Sequence, residues 1–336
     1  MQDDYFPEPA PAPRRRLRWP RLPRLPRLRA ALTGRWLGRF LLALIILIAL
    51  YYSAGAFIVS TIDDDPSFAA SAETGEGGSH AVAIAAALIE REVDRHAWVA
   101  NDPFFLPGAV LDNMPNYQQG IIGALSRFGI EMTDQIGRTR GSSQADADLD
   151  KAAGLLKYPG TIWIFDFSTS WAPTASSEAQ YRAAKVALLD YNRRLVSGAA
   201  VFERRADNLL ATLDRMAADL GSLSAVIDRH IEEEAGSPLD FQADDIFYRT
   251  KGRLYAYYLL LRELGVDFEK VINERDLSPA WAQMLQTFQV AATLQPWVVL
   301  NGGPSSQFVP SHLAAQGFYL LRARTQLREV TNILLK

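Results

Sequence analysis

The hydrophobic pattern turns on one run, Phe40–Val59, which reads FLLALIILIALYYSAGAFIV and holds no charged residue; the uncharged stretch continues to Ile62. Twenty residues at about 1.5 Å of rise make a helix roughly 30 Å long, the thickness of a bilayer's hydrocarbon core. In lipid such a span satisfies its backbone only as a helix, so a single transmembrane helix is expected over 40–60. Beyond His80 the pattern becomes helical and heptad-like. Val82, Ala86, Ile89, Val93 and His96 alternate steps of 4 and 3, as do Ile121, Leu125, Phe128 and Met132. The longest seam is Phe202, Ala206, Leu209, Leu213, Met216, Leu220, Leu223 and Ile227, traceable backwards through Ala199, Leu195, Leu188 and Tyr181. A repeat of about 3.5 residues lays one narrow apolar stripe on a helix, as in coiled coils.

Punctuation divides these seams. Ser177 with Gln180 forms a capping box for a helical region 178–234, with Gly198 and Gly221 as the places to bend or stop. Phe247, Thr250, Leu254, Tyr257, Leu261 and Leu264 form the next seam, closed by Gly265. Ser278-Pro279 opens a helix through Trp281, Leu285 and Phe288, and Ser311 caps the last one. Two stretches lack helical spacing: Thr161–Phe167 and Trp297–Leu300. Each reads either as a short buried strand, the two pairing together, or as an extended loop plugging the bundle. The fold class is mainly α: one N-terminal transmembrane helix, then an elongated helical bundle with heptad-like seams and at most two short extended segments. Residues 1–39 read as a disordered Pro/Arg-rich cytoplasmic tail, 61–79 as a flexible Gly-rich linker, and 80–336 as an α-helical periplasmic domain.

Charge sets the orientation. Residues 1–39 carry ten arginines, from Arg14 to Arg39, against three acids, a net of +7; residues 60–336 carry 25 basic and 35 acidic residues, a net of −10. Arginine before the span and Asp63-Asp64-Asp65 after it place the N-terminus in the cytoplasm and the large domain on the far side of the membrane, which for a bacterium with two membranes means the periplasm. The arginines also suit anionic headgroups, and the acidic domain argues against nucleic acid as a partner. A cleaved signal is the rival reading. Its apolar core would be shorter, and Ala70-Ser71-Ala72, which resembles a cleavage triplet, stands well beyond the run. The absence of cysteine excludes disulfides and thiolate chemistry.

Candidate chemistry is sparse, and no catalytic set or cofactor site emerges. Arg138, Arg140, Ser142 and Ser143 place two guanidiniums and two hydroxyls together, a combination suited to an anion. His96 and His230 fall on apolar seams and are candidates for pH sensing. No metal site is expected: Asp146, Asp148 and Asp150 start like a calcium loop, but Lys151 and Lys157 stand where Gly and Glu are needed. Ser143 with Asp146 reads instead as a capping box. Asp112, Asp244-Asp245 and Glu232-Glu233-Glu234 are acids that could serve hydrolysis only if a cleft paired them. Tyr248, Tyr255, Tyr257, Tyr258, Phe318 and Tyr319 form aromatic stripes at helical spacing, the usual mark of core.

Trp98-Val-Ala-Asn-Asp-Pro-Phe-Phe-Leu-Pro, Leu111-Asp-Asn-Met-Pro-Asn and Gly137-Arg-Thr-Arg-Gly-Ser-Ser carry a family likeness. So do Phe202-Glu-Arg-Arg-Ala-Asp-Asn-Leu-Leu, Gly252-Arg-Leu-Tyr-Ala-Tyr-Tyr and Pro310-Ser-His-Leu-Ala-Ala-Gln-Gly-Phe-Tyr. In these the chain resembles the bacterial domain-of-unknown-function family 2333. The resemblance implies a single-pass inner-membrane protein of proteobacteria and assigns no residue a role. A binding function follows as the expectation: a scaffold or adaptor with an envelope protein as partner. An envelope glycan or lipid hydrolase using carboxylates, and a carrier of an apolar ligand, are the alternatives.

Overall fold

The computed structural model describes residues 34–71, 74–136, 145–169, 171–234, 236–237, 240–303 and 306–336. Among the described residues ten α-helices follow in order: α1 Gly34–Val59, α2 His80–Glu90, α3 Asn113–Glu131, α4 Ala147–Leu156, α5 Ser177–Val196, α6 Ala206–Glu234, α7 Gln242–Asp267, α8 Glu269–Glu274, α9 Ser278–Ala292 and α10 His312–Leu334. The chain divides into two units, Met1–Leu50 and Tyr51–Lys336. Trp36–Val59 of α1 is long and apolar enough to cross a membrane, and none of its most apolar window is fully buried.

In the second unit the helices form a bundle around α7. This helix packs against α2, α3 and α9, while α6 lies along α10 and α4 along α5. The single seam read from sequence understates α7. Every residue from Leu254 to Leu261 is buried, which makes the helix apolar on all sides and central. Backbones of α3 and α7 meet closely. A Cβ on Gly120 would lie 2.2 Å from the Arg249 carbonyl oxygen, and one on Gly252 would lie 2.1 Å from that of Tyr117. The 206–227 seam is real: Leu209, Leu213, Met216, Leu220 and Ile227 are buried.

The long helical region is broken once. Gly198, with φ of +73°, ends α5 in the left-handed conformation that glycine tolerates best. Gly221 continues within α6, which passes uninterrupted to Glu234. Two caps shift by position. Ser176, not Ser177, caps α5, and Asp146, not Ser143, caps α4 by accepting from the Asp148 and Leu149 amides. Ser311 caps α10 as expected. Among the described residues there is no strand. Phe165 makes an isolated bridge with Pro173 and Asn301 one with Ser311, so the two extended segments do not pair together. Neither plugs the core, since Ile164, Phe165, Phe167, Trp297 and Val298 are exposed.

Candidate functional site

The segment leaving α1 is tied into the bundle residue by residue. Asp64 receives the Lys251 ammonium at 2.6 Å and the Gln295 amide at 2.8 Å. Lys251 is 1% exposed and also donates to the Leu294 carbonyl. Burial pulls its pKa down, and Asp64 opposes that pull. Tyr117 donates to the Asp63 carbonyl and Tyr255 to the Asp65 carbonyl, both at 2.7 Å. Arg262 reaches the carbonyls of Pro66 and Phe68. Asp63–Phe68 lies inside the stretch where sequence suggests a tether, yet its carbonyls and carboxylates are answered by donors from α3, α7 and the segment after α9.

Beside this root lies a buried ionic cluster. Where α2 ends, the helix widens into a π turn over Arg91–Arg95, a distortion common where side chains are re-aimed. Arg91, 2% exposed, bonds Glu92 at 2.8 Å and the Tyr255 hydroxyl at 2.8 Å, and stands 3.5 Å from Asp63. Its guanidinium also faces the Phe68 ring at 4.6 Å. Burial works against the charge, but Glu92, Tyr255, Tyr117 and Asp63 together hold the Arg91 pKa above its ordinary value. Gln118 secures the turn by donating to the carbonyls of Glu92 and Ala97. His96 joins the cluster, 3.9 Å from Asp63 and 3.8 Å from Glu92.

The other singled-out residues are placed as follows. His230 is buried, and its Nε2 lies 2.9 Å from Asp240, which also accepts from Asn301. His96 and His230 thus stand in separate carboxylate environments. Arg138, Arg140, Ser142 and Ser143 lie outside the described residues. Asp146 and Asp148 are engaged by Arg194, at 2.7 Å to the former. Glu232, Glu233 and Glu234 form an exposed helix end. Tyr255, Tyr257 and Tyr258 are core, while Phe318 is exposed.

Of the acids that the sequence offers singly, the structure brings three together. The carboxylates of Asp112, Asp244 and Asp245 come within 4.8 Å of one another. Burial, then the neighbouring Asp112, raises the pKa of both Asp244 and Asp245. Three oxygens so spaced could share a cation, and Asp245 also accepts from Asn116. Only the pairing of α3's start with α7's start creates this proximity, and no sequence signal carries it. Separately, Ala70, Ala83, Ala87, Val186, Leu189 and Val196 line an apolar groove of about 540 Å³ between α2 and α5.

A family model described as "Uncharacterized protein conserved in bacteria (DUF2333)" matches residues 31–238 and 232–336, nearly all of the chain beyond the tail. Neither curated proteins nor solved structures match the chain.

Proposed function

The chain belongs to the DUF2333 family of bacterial proteins, and on that footing we propose that it is a single-pass envelope protein whose helical domain serves as a rigidly mounted scaffold or adaptor. In this reading Trp36–Val59 spans the inner membrane, the arginine-rich tail is cytoplasmic and the bundle is periplasmic. The charge asymmetry across the span supports that orientation. The observation that carries the scaffold reading is the mount itself. Asp63, Asp64 and Asp65, the first charged residues after the span, are held by Arg91, Tyr117, Lys251 and Tyr255. Such a root ties the segment after α1 into the bundle, which suits a protein that must meet a partner in register.

A hydrolase reading draws on the Asp112, Asp244 and Asp245 cluster and a carrier reading on the α2–α5 groove; each lacks a second element, a facing catalytic partner or an enclosed tunnel. The test is a flexible Gly/Ser insertion after Ile62, combined with a photo-crosslinking residue at an exposed domain position in intact cells. The scaffold reading expects one discrete protein adduct that the insertion abolishes while membrane retention is unchanged. No adduct, together with breakdown of envelope glycan by the purified full chain regardless of the insertion, would replace it with the enzyme.

A further inference from the structure

Phe104, Phe105, Trp163, Phe165, Phe167 and Trp171 form a continuous ladder of aromatic rings. Successive centroids lie 5.4, 5.6, 6.5, 5.7 and 5.3 Å apart along that order. Core aromatics would be covered; these are not. Phe104 is 83% exposed, Phe167 65% and Trp171 85%. The ladder is also firmly built. Trp98 donates to the Gly160 carbonyl and Asn101 to that of Ile162, both at 2.8 Å. The buried Ser177 hydroxyl donates to the Pro159 carbonyl at 2.7 Å. Two loops from different parts of the chain are therefore clamped at their bases and present their apolar tips outward.

The start of the ladder shows what covers it. Tyr51 and Tyr52 of α1 donate their hydroxyls to the backbone carbonyls of Phe105 and Phe104. At Gly55 the approach is so close that a Cβ would lie 2.3 Å from the Pro107 ring. Tyr51 and Tyr52 precede Val59 by eight and seven residues, placing this contact about 10–12 Å back along the helix from its end. The Phe104–Pro107 loop thus lies alongside the apolar helix rather than beyond it. At such depth water is scarce, and carbonyls facing lipid need an internal donor; the two tyrosine hydroxyls supply it. Composition agrees: residues 103–111 carry no charge, and 159–175 carry only Asp166, whose carboxylate is occupied by Ser168 and Thr169. Trp297 and Phe308 are exposed as well, and Leu294 and Gln295, which follow α9, are both bonded to the Lys251–Asp64 pair. Trp, Tyr and Phe concentrate at the membrane–water interface, and interfacial binding scales with buried apolar area.

We propose that the Phe104–Trp171 aromatic ladder is a second membrane contact, embedded in the interfacial layer of the leaflet from which α1 emerges. It rests on the reading that α1 spans the bilayer. The chain has no cysteine, so single substitutions Phe167→Cys, Trp171→Cys, Leu47→Cys and Ser222→Cys allow one environment-sensitive fluorophore each in the full chain. Proteins are reconstituted in phosphatidylcholine–phosphatidylglycerol nanodiscs containing lipids with a nitroxide near the headgroup or near the chain middle. The expected result is several-fold stronger quenching at 167 and 171 than at 222 by the shallow nitroxide, with Leu47 quenched by the deep one. Solvent-like emission at both 167 and 171 with Leu47 still quenched overturns the second contact and leaves the anchor standing. Shielding of 167 and 171 from aqueous iodide without lipid quenching assigns the ladder to a protein partner or second copy, and overturns it equally. An unquenched Leu47 removes the anchor and the inference together.

Discussion

Burying Lys251 at 1% exposure demands an opposite charge, and the first turn after the span supplies it in Asp64. Removing one partner of a buried pair strands the other, so Lys251→Met should cost about 3–5 kcal/mol in urea unfolding of the full chain in detergent. Lys251→Met with Asp64→Asn should recover much of that loss, because no unpaired charge remains. At Asp240 the sign runs with pH. Burial pushes its carboxyl up, but hydrogen bonds from Asn301 and His230 outweigh burial and hold it below the usual aspartate value of 3.8. A depressed carboxyl contributes stability that is complete above 3.8 and is lost as pH falls through the folded value. Asp240→Asn should therefore lower the urea midpoint at pH 7, and the gap should close in strongly acidic buffer.

Helices carried most of what the chain's pattern could say. The seam from Leu209 to Ile227 is buried as its spacing requires, and Gly198 stops a helix where a positive φ is needed. The errors have local causes. Ser177 has capping chemistry, but its hydroxyl locks the 159–162 turn and leaves the cap to Ser176. Thr161–Phe167 reads from sequence as a short buried strand or a loop plugging the bundle; only tertiary context reveals that Phe165 and Phe167 are uncovered. The charged root was equally illegible, since Arg91, Lys251 and Asp63–Asp65 come from three distant parts of the chain. Glycines separate two kinds of helix position. Gly252→Ala should destabilise by about 1–3 kcal/mol, because its Cβ meets the α3 backbone. Gly154→Ala, on α4 with open space around it, should stabilise by roughly 0.5–1 kcal/mol. Thermal melts of the two variants side by side check this opposition.

Within the second unit, the segment that follows α1 is tied into the bundle. Asp63 and Asp64, just after α1, meet donors from α3, α7 and the turn after α2. The proposed scaffold role rests on that attachment being stiff, and so does the proposed placement of an aromatic face against lipid. Stiffness can be measured. Spin labels at Ser60→Cys and Ser222→Cys, in the full chain held in nanodiscs, report the distance from the end of α1 to α6 by pulsed electron resonance. A single narrow distance distribution is the predicted result. A broad distribution, of the kind a free Gly-rich tether generates, would contradict the mount and everything built on it.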